Sequence, residues 1–378
     1  MKQAGKTLLL FLLLLLLPVS AGAVGPKSSV LMELTTGQLL QQDNAHERLA
    51  PASVTKVMTM LLTMEAIDSG KIRWEDEVTA SETAASKGGS QIYLKAGETM
   101  PVSDMLKSVA VSSANDCACA LAEHLCGSEE AFVEQMNAKA AQLGMKDTHF
   151  VNCTGLDDSP NAAEHRTSAY DIALMSRELL LKHPDIRKFT TIWMDTVRNG
   201  AFGLSNTNRM VRFYKGTTGL KTGFTRGAGF CLSASARRED MELIAVVMGA
   251  DTSKNRFGAC KSLLDYGFAN YAIASPELTE DHFVPVVLGK QKQVAVGLSS
   301  DQGLVVDKNR KSTIEKEIRL DPEIQAPVIK GQQLGTMVLK SGEEVLAEIP
   351  MVAEDNVEKL RYGDLFLYVL GRMAMSGK

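Results

Sequence analysis

The chain has 378 residues, of which 45% are hydrophobic, 23% charged and 6% aromatic, and its formal net charge is −4. This composition is typical of a globular protein and excludes a disordered tail, a collagen-like rod and a strongly basic nucleic-acid-binding protein. At about 100–200 residues per domain, the length predicts two domains, each able to bury a hydrophobic core.

The first 23 residues have the pattern of a secretory signal peptide. Lys2 and Lys6 precede residues 8–17, ten residues without a polar side chain, and the small residues Ala21 and Ala23 follow. Alanines at positions −3 and −1 predict cleavage after the second of them. The apolar run is too short to span a bilayer comfortably, so we favour this interpretation over an uncleaved signal anchor. We therefore expect an exported protein.

A strand over 30–34 is predicted to turn at Thr36-Gly37 into a returning strand over 38–40. Pro51 then opens a helix that runs to residue 62, since the missing N–H of proline has no intrahelical partner to lose there.

The following region continues to mix helices with strands. Helices are predicted over 102–125, 168–182 and 256–271, and buried strands over 229–236 and 243–249. Strands at both ends with helices between them predict a mixed domain over residues 24–275, whose sheet brings distant parts of the chain together.

Six cysteines occur in this region, and they are Cys117, Cys119, Cys126, Cys153, Cys231 and Cys260. They form no C-x-x-C pair and have no histidine at ligand spacing, so the pattern does not favour a zinc site. Cys117 and Cys119 point to different faces of a predicted helix and cannot easily bridge each other. We favour small buried thiols over a disulfide framework, and we expect no metal and no other cofactor.

After Pro276 the pattern changes to short alternating runs. These runs cover 284–286, 293–298, 303–306, 314–320 and 336–349, with glycines between several of them. Such spacing predicts a small all-β domain over residues 280–352, in which no catalytic grouping is visible.

The last segment, residues 355–378, has apolar residues at helical spacing. They are Tyr362, Phe366, Val369, Leu370 and Met373, and basic residues flank them. This mixture suits a helix that lies on an anionic membrane surface. A terminal helix packed on its own domain is the alternative, and we favour the membrane because export places this end of the chain near one.

Three short motifs follow one another along the chain. Ser53-Val54-Thr55-Lys56 lies at the start of a predicted helix, Ser113-Ala114-Asn115 begins or precedes another, and Lys221-Thr222-Gly223 lies on a strand-like segment. Taken singly, each has an ordinary explanation as a helix cap or a solvated lysine. In this order, the three are typical of penicillin-binding proteins and β-lactamases.

The first motif suits nucleophilic catalysis. Residues three apart share a helix face, so the Lys56 amine can reach the Ser53 hydroxyl. A lysine acts as the base for a serine only when its pKa is lowered, which burial or a second cation such as Lys221 can do. The helix N-terminus adds N–H groups that favour negative charge developing near Ser53.

The other two motifs suit proton transfer and substrate binding. Ser113 offers a hydroxyl that can pass a proton to a leaving amine, and Asn115 an amide that can orient lysine and substrate. Gly223 leaves room for an extended peptide added along the strand, whose carboxylate Lys221 and Thr222 can hold.

With these residues the chain resembles the D-alanyl-D-alanine carboxypeptidases, low-molecular-mass penicillin-binding proteins related in fold to β-lactamases. The similar segments cover 49–59, 113–116, 120–123, 165–171 and 219–225, and the signal peptide, β-rich domain and amphipathic end also fit. The resemblance implies an α+β fold. Its catalytic domain would have an antiparallel sheet with helices on both faces, and a small all-β domain would follow.

The resemblance also implies the reaction. Ser53 would attack the carbonyl between the last two D-alanines of a peptidoglycan stem pentapeptide, form an acyl-enzyme and release D-alanine, and water would then free the shortened peptide. Lys56 would be the base, while Ser113 and Asn115 would handle protons and positioning. β-Lactams imitate the terminal dipeptide and would acylate Ser53 stably.

For substrate binding, the resemblance implies that Lys221 and Thr222 hold the terminal carboxylate, with Gly223 and Thr225 on the same strand. The oxyanion hole would use the backbone N–H groups of Ser53 and Phe224. It implies an extracytoplasmic enzyme on the outer face of the cytoplasmic membrane, with no nucleic-acid partner.

Two departures from the family pattern are present. Phe224 stands where many members have histidine, so side-chain contacts and pH dependence are in question there. Residues 152–156 read Asn-Cys-Thr-Gly-Leu where Asn-Pro-His-Gly-Leu is frequent, so the local loop structure is in question.

Three other functions are the alternatives. A class A β-lactamase needs a glutamate in a Glu-x-x-Leu-Asn setting between the second and third motifs, and no such segment is present. A D,D-endopeptidase that cuts cross-links would use the same residues. A non-catalytic peptidoglycan-binding protein would have no use for Ser53 and Lys56 as a nucleophile-base pair.

Overall fold

The computed structural model describes residues 25–300, 303–363 and 366. The predicted signal peptide, residues 1–23, lies outside the described residues, as does most of the predicted tail, residues 355–378. None of the described helices is long and apolar enough to cross a membrane.

Ten strands lie in the described N-terminal part of the chain. They are β1 Ser28–Glu33, β2 Leu39–Asp43, β3 Glu77–Thr79, β4 Thr99–Pro101, β5 Met194–Val197, β6 Phe202–Ser205, β7 Thr217–Thr225, β8 Gly229–Arg238, β9 Met241–Ala250 and β10 Tyr271–Ala274. Five form an antiparallel sheet in the order β2-β1-β9-β8-β7. Val30 of β1 pairs with Val246 of β9, so the sheet joins distant parts of the chain as predicted. Strand β7 lies at one edge of this sheet.

The helices of this part cover both faces of the sheet. They are α1 Lys56–Asp68, α2 Glu82–Ala85, α3 Val102–Ser112, α4 Asn115–Cys126, α5 Glu129–Gln142, α6 Ala169–Lys182, α7 Arg187–Thr190, α8 Met210–Phe213 and α9 Ser253–Asn270. Because side chains alternate along a strand, Val30 and Met32 pack in one core with α1, α3, α4 and α6, whereas Leu31 packs with α9. This arrangement confirms the predicted α+β fold.

The helix predicted over 102–125 is in fact two helices, α3 and α4. Ser113 lies between them with φ +64°, a left-handed conformation that ends an α-helix. The buried carboxylate of Asp116 accepts hydrogen bonds from the N–H groups of Ile92 and Leu94, at 3.1 and 3.0 Å, and holds the start of α4 against residues 88–94. The break places Ser113 and Ala114 between the two helices and Asn115 at the first position of α4.

The C-terminal part is a small all-β unit, as predicted. Its strands are β11 His282–Val287, β12 Gln293–Leu298, β13 Leu304–Asp307, β14 Ile314–Leu320, β15 Ile324–Gln325, β16 Gln333–Ser341 and β17 Glu344–Ala353. Six form a sheet in the order β14-β16-β17-β12-β11-β15, whereas β13 pairs with β10 of the preceding part. Val357 is buried in the core of this unit, so its packing extends beyond residue 352.

Within the described residues all six cysteines are free, and five are buried. Their burial agrees with the interpretation of small thiols in the core. Two of them, Cys119 and Cys153, also lie beside the carboxylate of Glu129.

Candidate active site

Ser53 lies in a single 3-10 turn, residues 52–55, which leads directly into α1. We call it the Ser53 turn. The Thr55 hydroxyl donates to the Ala52 carbonyl at 2.8 Å and contacts His165 Nε2 at 2.8 Å. Since the Val151 N–H donates to His165 Nδ1 at 3.0 Å, the Nε2 atom carries the ring proton and donates to Thr55. These bonds hold the turn in one conformation.

Lys56 contacts the Ser53 hydroxyl directly. Its Nζ lies 2.9 Å from Ser53 Oγ and donates to the Thr154 carbonyl at 2.9 Å. The side chain is fully buried, and burial lowers the pKa of Lys56 to about 7, against the opposing influence of Cys153 and Asp116. An amine with this pKa is substantially neutral at neutral pH, so it can accept the proton of Ser53.

The loop over residues 152–156 positions the carbonyl that Lys56 uses. Asn152 Oδ1 accepts hydrogen bonds from the N–H groups of Thr154 and Gly155, at 3.1 and 2.6 Å, and its Nδ2 donates to the Leu156 carbonyl. A Cβ atom on Gly155 would lie 1.8 Å from the Ala52 carbonyl oxygen. The departure from the family pattern in this loop is therefore accommodated by a turn built around the Asn152 side chain.

The second motif brings two buried polar residues to the start of α4. Asn115 Nδ2 donates to the Gly88 carbonyl at 2.6 Å, while Asn115 Oδ1 is buried without a hydrogen-bond partner among the described residues. Ser113 is 3% exposed. Neither residue is hydrogen-bonded to Ser53 or Lys56 in the described part of the chain. A buried amide oxygen without a partner is available to a substrate N–H group.

The third motif lies on edge strand β7, beside the Ser53 turn. A Cβ atom on Gly223 would lie 2.6 Å from the Pro51 carbonyl oxygen and 3.1 Å from the Ser53 nitrogen, so only glycine allows this approach. Thr222 donates its hydroxyl proton to Thr207 Oγ1 at 2.7 Å. The outer edge of β7 is where an extended peptide could add as a further strand.

Lys221 is almost fully buried and donates to the Thr222 carbonyl at 3.0 Å. Burial lowers the pKa of Lys221 well below its ordinary value, and the cations of Lys56 and Arg256 lower it further. The sequence suggested that Lys221 could lower the pKa of Lys56. In the structure burial is the largest cause of the lowered pKa of Lys56, and the proximity of the two amines disfavours the charge on Lys221. A substrate carboxylate would favour the charged form of Lys221.

The last two residues of β7 differ in exposure and in role. Phe224 is 52% exposed, and its ring stacks on Phe230 with centroids 4.2 Å apart. Thr225 Oγ1 accepts the Ala228 N–H at 3.1 Å and shapes the turn into β8. Beside them opens a cleft of about 360 Å³ between the Ser53 turn and loop 152–156, with Arg48 at its wall.

Sequence reasoning assigned no role to two buried residues that support this site. His165 fixes the Ser53 turn through Thr55, which lies 110 positions away in the chain. Arg256 donates to the carbonyls of Gly223 and Cys231, at 3.1 and 3.3 Å, and so holds β7 from α9. His165 lies in segment 165–171, which resembles the family, and this resemblance could have indicated a role for it. Nothing in the sequence singled out Arg256.

The chain is similar to known proteins over most of its length. The family model described as D-alanyl-D-alanine carboxypeptidase matches residues 18–252, and that of the penicillin-binding protein 5 C-terminal domain matches residues 280–359. The chain is 47% identical over 340 residues to the D-alanyl-D-alanine carboxypeptidase DacF of Bacillus subtilis (strain 168), which covers 88% of this chain and 86% of that protein.

Solved structures are similar over two thirds to nine tenths of the chain. Penicillin-binding protein 5 from Haemophilus influenzae has a TM-score of 0.77 at 32% identity, covering 90% of this chain and 100% of that one. The ampicillin-bound form of penicillin-binding protein D2 from Listeria monocytogenes has a TM-score of 0.57 at 29% identity, covering 65% of this chain and 98% of that one.

Proposed function

Because the chain belongs to the D-alanyl-D-alanine carboxypeptidase family, we propose that Ser53 is its nucleophile and Lys56 its general base. The enzyme is a serine-type D-Ala-D-Ala carboxypeptidase, a hydrolase that acts on peptidoglycan stem peptides. The observation that carries the assignment is the 2.9 Å contact between Ser53 Oγ and the amine of Lys56, whose pKa burial lowers to about 7.

Acylation begins when neutral Lys56 takes the Ser53 proton and Ser53 Oγ attacks the carbonyl of the penultimate D-alanine. The N–H groups of Ser53 and Phe224 stabilise the oxyanion, in keeping with the close approach of Gly223 to the Ser53 nitrogen. As the tetrahedral intermediate collapses, the leaving amine takes a proton by way of Ser113. D-Alanine departs and an ester to Ser53 remains.

The second and third motifs orient the substrate. The terminal carboxylate is held by Lys221 and Thr222, and the buried Asn115 Oδ1 accepts a hydrogen bond from a substrate amide. The peptide extends along the outer edge of β7 past Gly223 towards Thr225. Water, deprotonated by Lys56, then hydrolyses the ester and restores the Ser53 hydroxyl.

β-Lactams acylate the same serine. A related protein has been solved in an ampicillin-bound form, and the 2.9 Å contact between Ser53 Oγ and Lys56 Nζ supports the same acylation here. The acyl-enzyme formed with penicillin is expected to persist, since the ring fragment stays attached where D-alanine would leave.

The location of the enzyme follows from its substrate. Peptidoglycan is extracytoplasmic, and residues 1–23 are proposed to direct export. The apolar and basic residues after residue 361 are proposed to lie on the outer surface of the cytoplasmic membrane.

The assignment is tested with two substrates, a diacetyl-Lys-D-Ala-D-Ala peptide and a cross-linked muropeptide. The mature protein should release D-alanine from the peptide faster than it cleaves the cross-link. The opposite order would favour the endopeptidase alternative.

The nucleophile itself is tested with fluorescent penicillin. Ser53→Ala should abolish both D-alanine release and covalent labelling. Ser86→Ala changes an exposed serine that bonds only within its own turn, and should leave both unchanged. Labelling that persists in Ser53→Ala would exclude Ser53 as the nucleophile.

A further inference from the structure

Three potential metal ligands, Cys119, Glu129 and Cys153, lie close together. Cys153 directly precedes Thr154, whose carbonyl accepts a hydrogen bond from Lys56. Cys153 Sγ is 3.1 Å from Glu129 Oε1, and Cys119 Sγ is 3.9 Å from Glu129 Oε2. The two sulfur atoms and one carboxylate oxygen all lie within 4.8 Å of one another. Among the described residues, no other group of three cysteine, histidine or acidic side chains comes together in this way.

The group is assembled from three separate places in the chain. Cys119 is in the middle of α4, Glu129 is the first residue of α5, and Cys153 lies in loop 152–156. Each ligand therefore rests on a different packed element, and the Cys153 N–H also donates to Glu129 Oε1 at 3.1 Å. Such dispersion explains why ligand spacing in the sequence did not indicate a metal site.

The distances suit a tetrahedral ion with thiolate ligands. A zinc–sulfur bond of about 2.3 Å places two thiolate ligands about 3.8 Å apart, so the observed group has to contract by no more than about 1 Å. A fourth position would go to water or to Glu123, whose Oε1 lies 3.7 Å from Cys119 Sγ. Thiolates favour zinc and similar soft cations over magnesium or calcium.

Charge at the group also fits a divalent cation. Two thiolates and one carboxylate carry three formal negative charges, which a divalent ion and the ammonium of Lys87 neutralise together. Lys87 Nζ lies 2.5 Å from Glu129 Oε2 and completes this balance. Without an ion, burial and the neighbouring Cys119 and Glu129 keep the pKa of Cys153 well above its ordinary value, so the thiol stays protonated.

We propose that Cys119, Glu129 and Cys153 form a binding site for one thiophilic divalent cation of the zinc type. As the two metal–sulfur bonds form, the two thiol protons leave to water, and the oxidation state of each atom is unchanged. Both cysteines are fully buried, whereas the side chains of Lys87 and Glu129 are 21% and 14% exposed, so the ion enters past this pair.

The site is connected to catalysis through loop 152–156. The Cys153 carbonyl accepts the Thr59 hydroxyl at 2.7 Å, and the next carbonyl, that of Thr154, accepts the Lys56 amine. A bound cation would brace the segment that orients the general base. The site is distinct from the Ser53 machinery, so the proposal stands or fails independently of the proposed reaction.

Cadmium is the probe, because thiolate coordination gives it a charge-transfer absorption in the ultraviolet that carboxylates alone do not give. Titration of the reduced mature protein should develop this band with a stoichiometry of one, and added zinc should remove it by competition. Cys119→Ser and Cys153→Ser should each weaken binding at least 100-fold, and Glu129→Gln about 10-fold.

The matched control is Cys126→Ser, which changes the most exposed cysteine, on the same helix as Cys119. It should leave the band and the stoichiometry unchanged. Absence of the band in the unmodified protein would overturn the proposal, as would a band that survives Cys119→Ser.

A crystal of the unmodified protein soaked in cadmium gives a second test that needs no core substitution. Anomalous density within bonding distance of both Cys119 Sγ and Cys153 Sγ is expected. Cadmium found only elsewhere on the molecule would overturn the site even if the variants failed to fold.

Discussion

The amine of Lys56 lies 2.9 Å from both Ser53 Oγ and the Thr154 carbonyl oxygen, and no part of its side chain reaches solvent. Burial disfavours the ammonium, and this is why the pKa of Lys56 falls to about 7. One hydrogen bond goes to the proposed nucleophile and the other fixes the direction of the amine. The pKa and the orientation of Lys56 both suit the proposed general base.

The first prediction concerns the pH dependence of acylation. Because the neutral amine is the active form, the rate constant for acylation by fluorescent penicillin should rise as pH increases through about 7 and level off above it. Lys56→Met should lower the rate constant by roughly 10²–10⁴, the usual contribution of a general base. Lys95→Met, at an exposed position, is the control. A profile that is flat through neutral pH would exclude Lys56 as the base.

The second prediction uses the close approach of β7 to the Ser53 turn. Gly223→Ala places a methyl group 2.6 Å from the Pro51 carbonyl oxygen. This oxygen belongs to the backbone, so it cannot rotate away as the end of a side chain can. We expect acylation to slow at least 100-fold, with the fold retained by circular dichroism. In Gly227→Ala the new methyl meets the Asp157 carboxylate at 3.5 Å and Thr225 Oγ1 at 4.0 Å, both ordinary contacts, so its rate should stay within about twofold. Equal rates in the two variants would contradict the geometry.

These two cases show what the sequence could and could not predict. Hydrophobic periodicity located β8, β9, α6 and α9, and residue spacing placed Lys56 beside Ser53, because both kinds of information are local. Gly223 was predicted to leave room for a substrate, but its approach to Pro51 depends on how β7 packs against a turn about 170 positions earlier.

The failures have a physical cause of the same kind. A single helix over 102–125 was predicted because valine, leucine and alanine recur on both sides of Ser113, although the motif that starts at Ser113 was itself expected to begin or precede a helix. The left-handed conformation of Ser113 leaves no pattern in the sequence, since this residue is not glycine. The roles of Arg256 and of the group formed by Cys119, Glu129 and Cys153 were not predicted, because the residues they contact belong to other helices, strands or loops. Long-range contacts position the site, and the sequence pattern of a single segment does not predict them.

The third prediction concerns stability in acid. Burial, with the charges of His149 and Arg166, lowers the pKa of His165 from 6.5 to about 4 in the folded protein. Between these values the unfolded chain binds a proton that the folded protein does not, so stability falls as pH decreases from about 6.5 to 4. The loss attributable to this group approaches about 3 kcal/mol, at 1.36 kcal/mol per pKa unit.

Urea unfolding measured across that pH range checks this prediction. His165→Gln should remove most of the acid-dependent loss, although it lowers stability at neutral pH because the bonds to Thr55 and Val151 are disturbed. His124→Gln changes an exposed histidine and should keep the slope of the unmodified protein. An unchanged slope in His165→Gln would mean that other groups cause the acid sensitivity.

The fourth prediction concerns the proposed membrane contact, and the structure decides where the chain should be cut. Val357 is 2% exposed, and its backbone exchanges two 2.9 Å hydrogen bonds with Val328, while the Leu360 N–H donates to the Leu288 carbonyl. Removing residues from 355 onward would damage the β unit, whereas deletion of residues 362–378 keeps these bonds. The shorter deletion should move the enzyme from the membrane to the soluble fraction while penicillin labelling per molecule stays the same. Deletion of residues 374–378 alone, which keeps Tyr362 and Phe366, is the control and should leave the enzyme on the membrane. Unchanged fractionation after the longer deletion would refute the membrane contact and favour a terminal helix packed on its own domain.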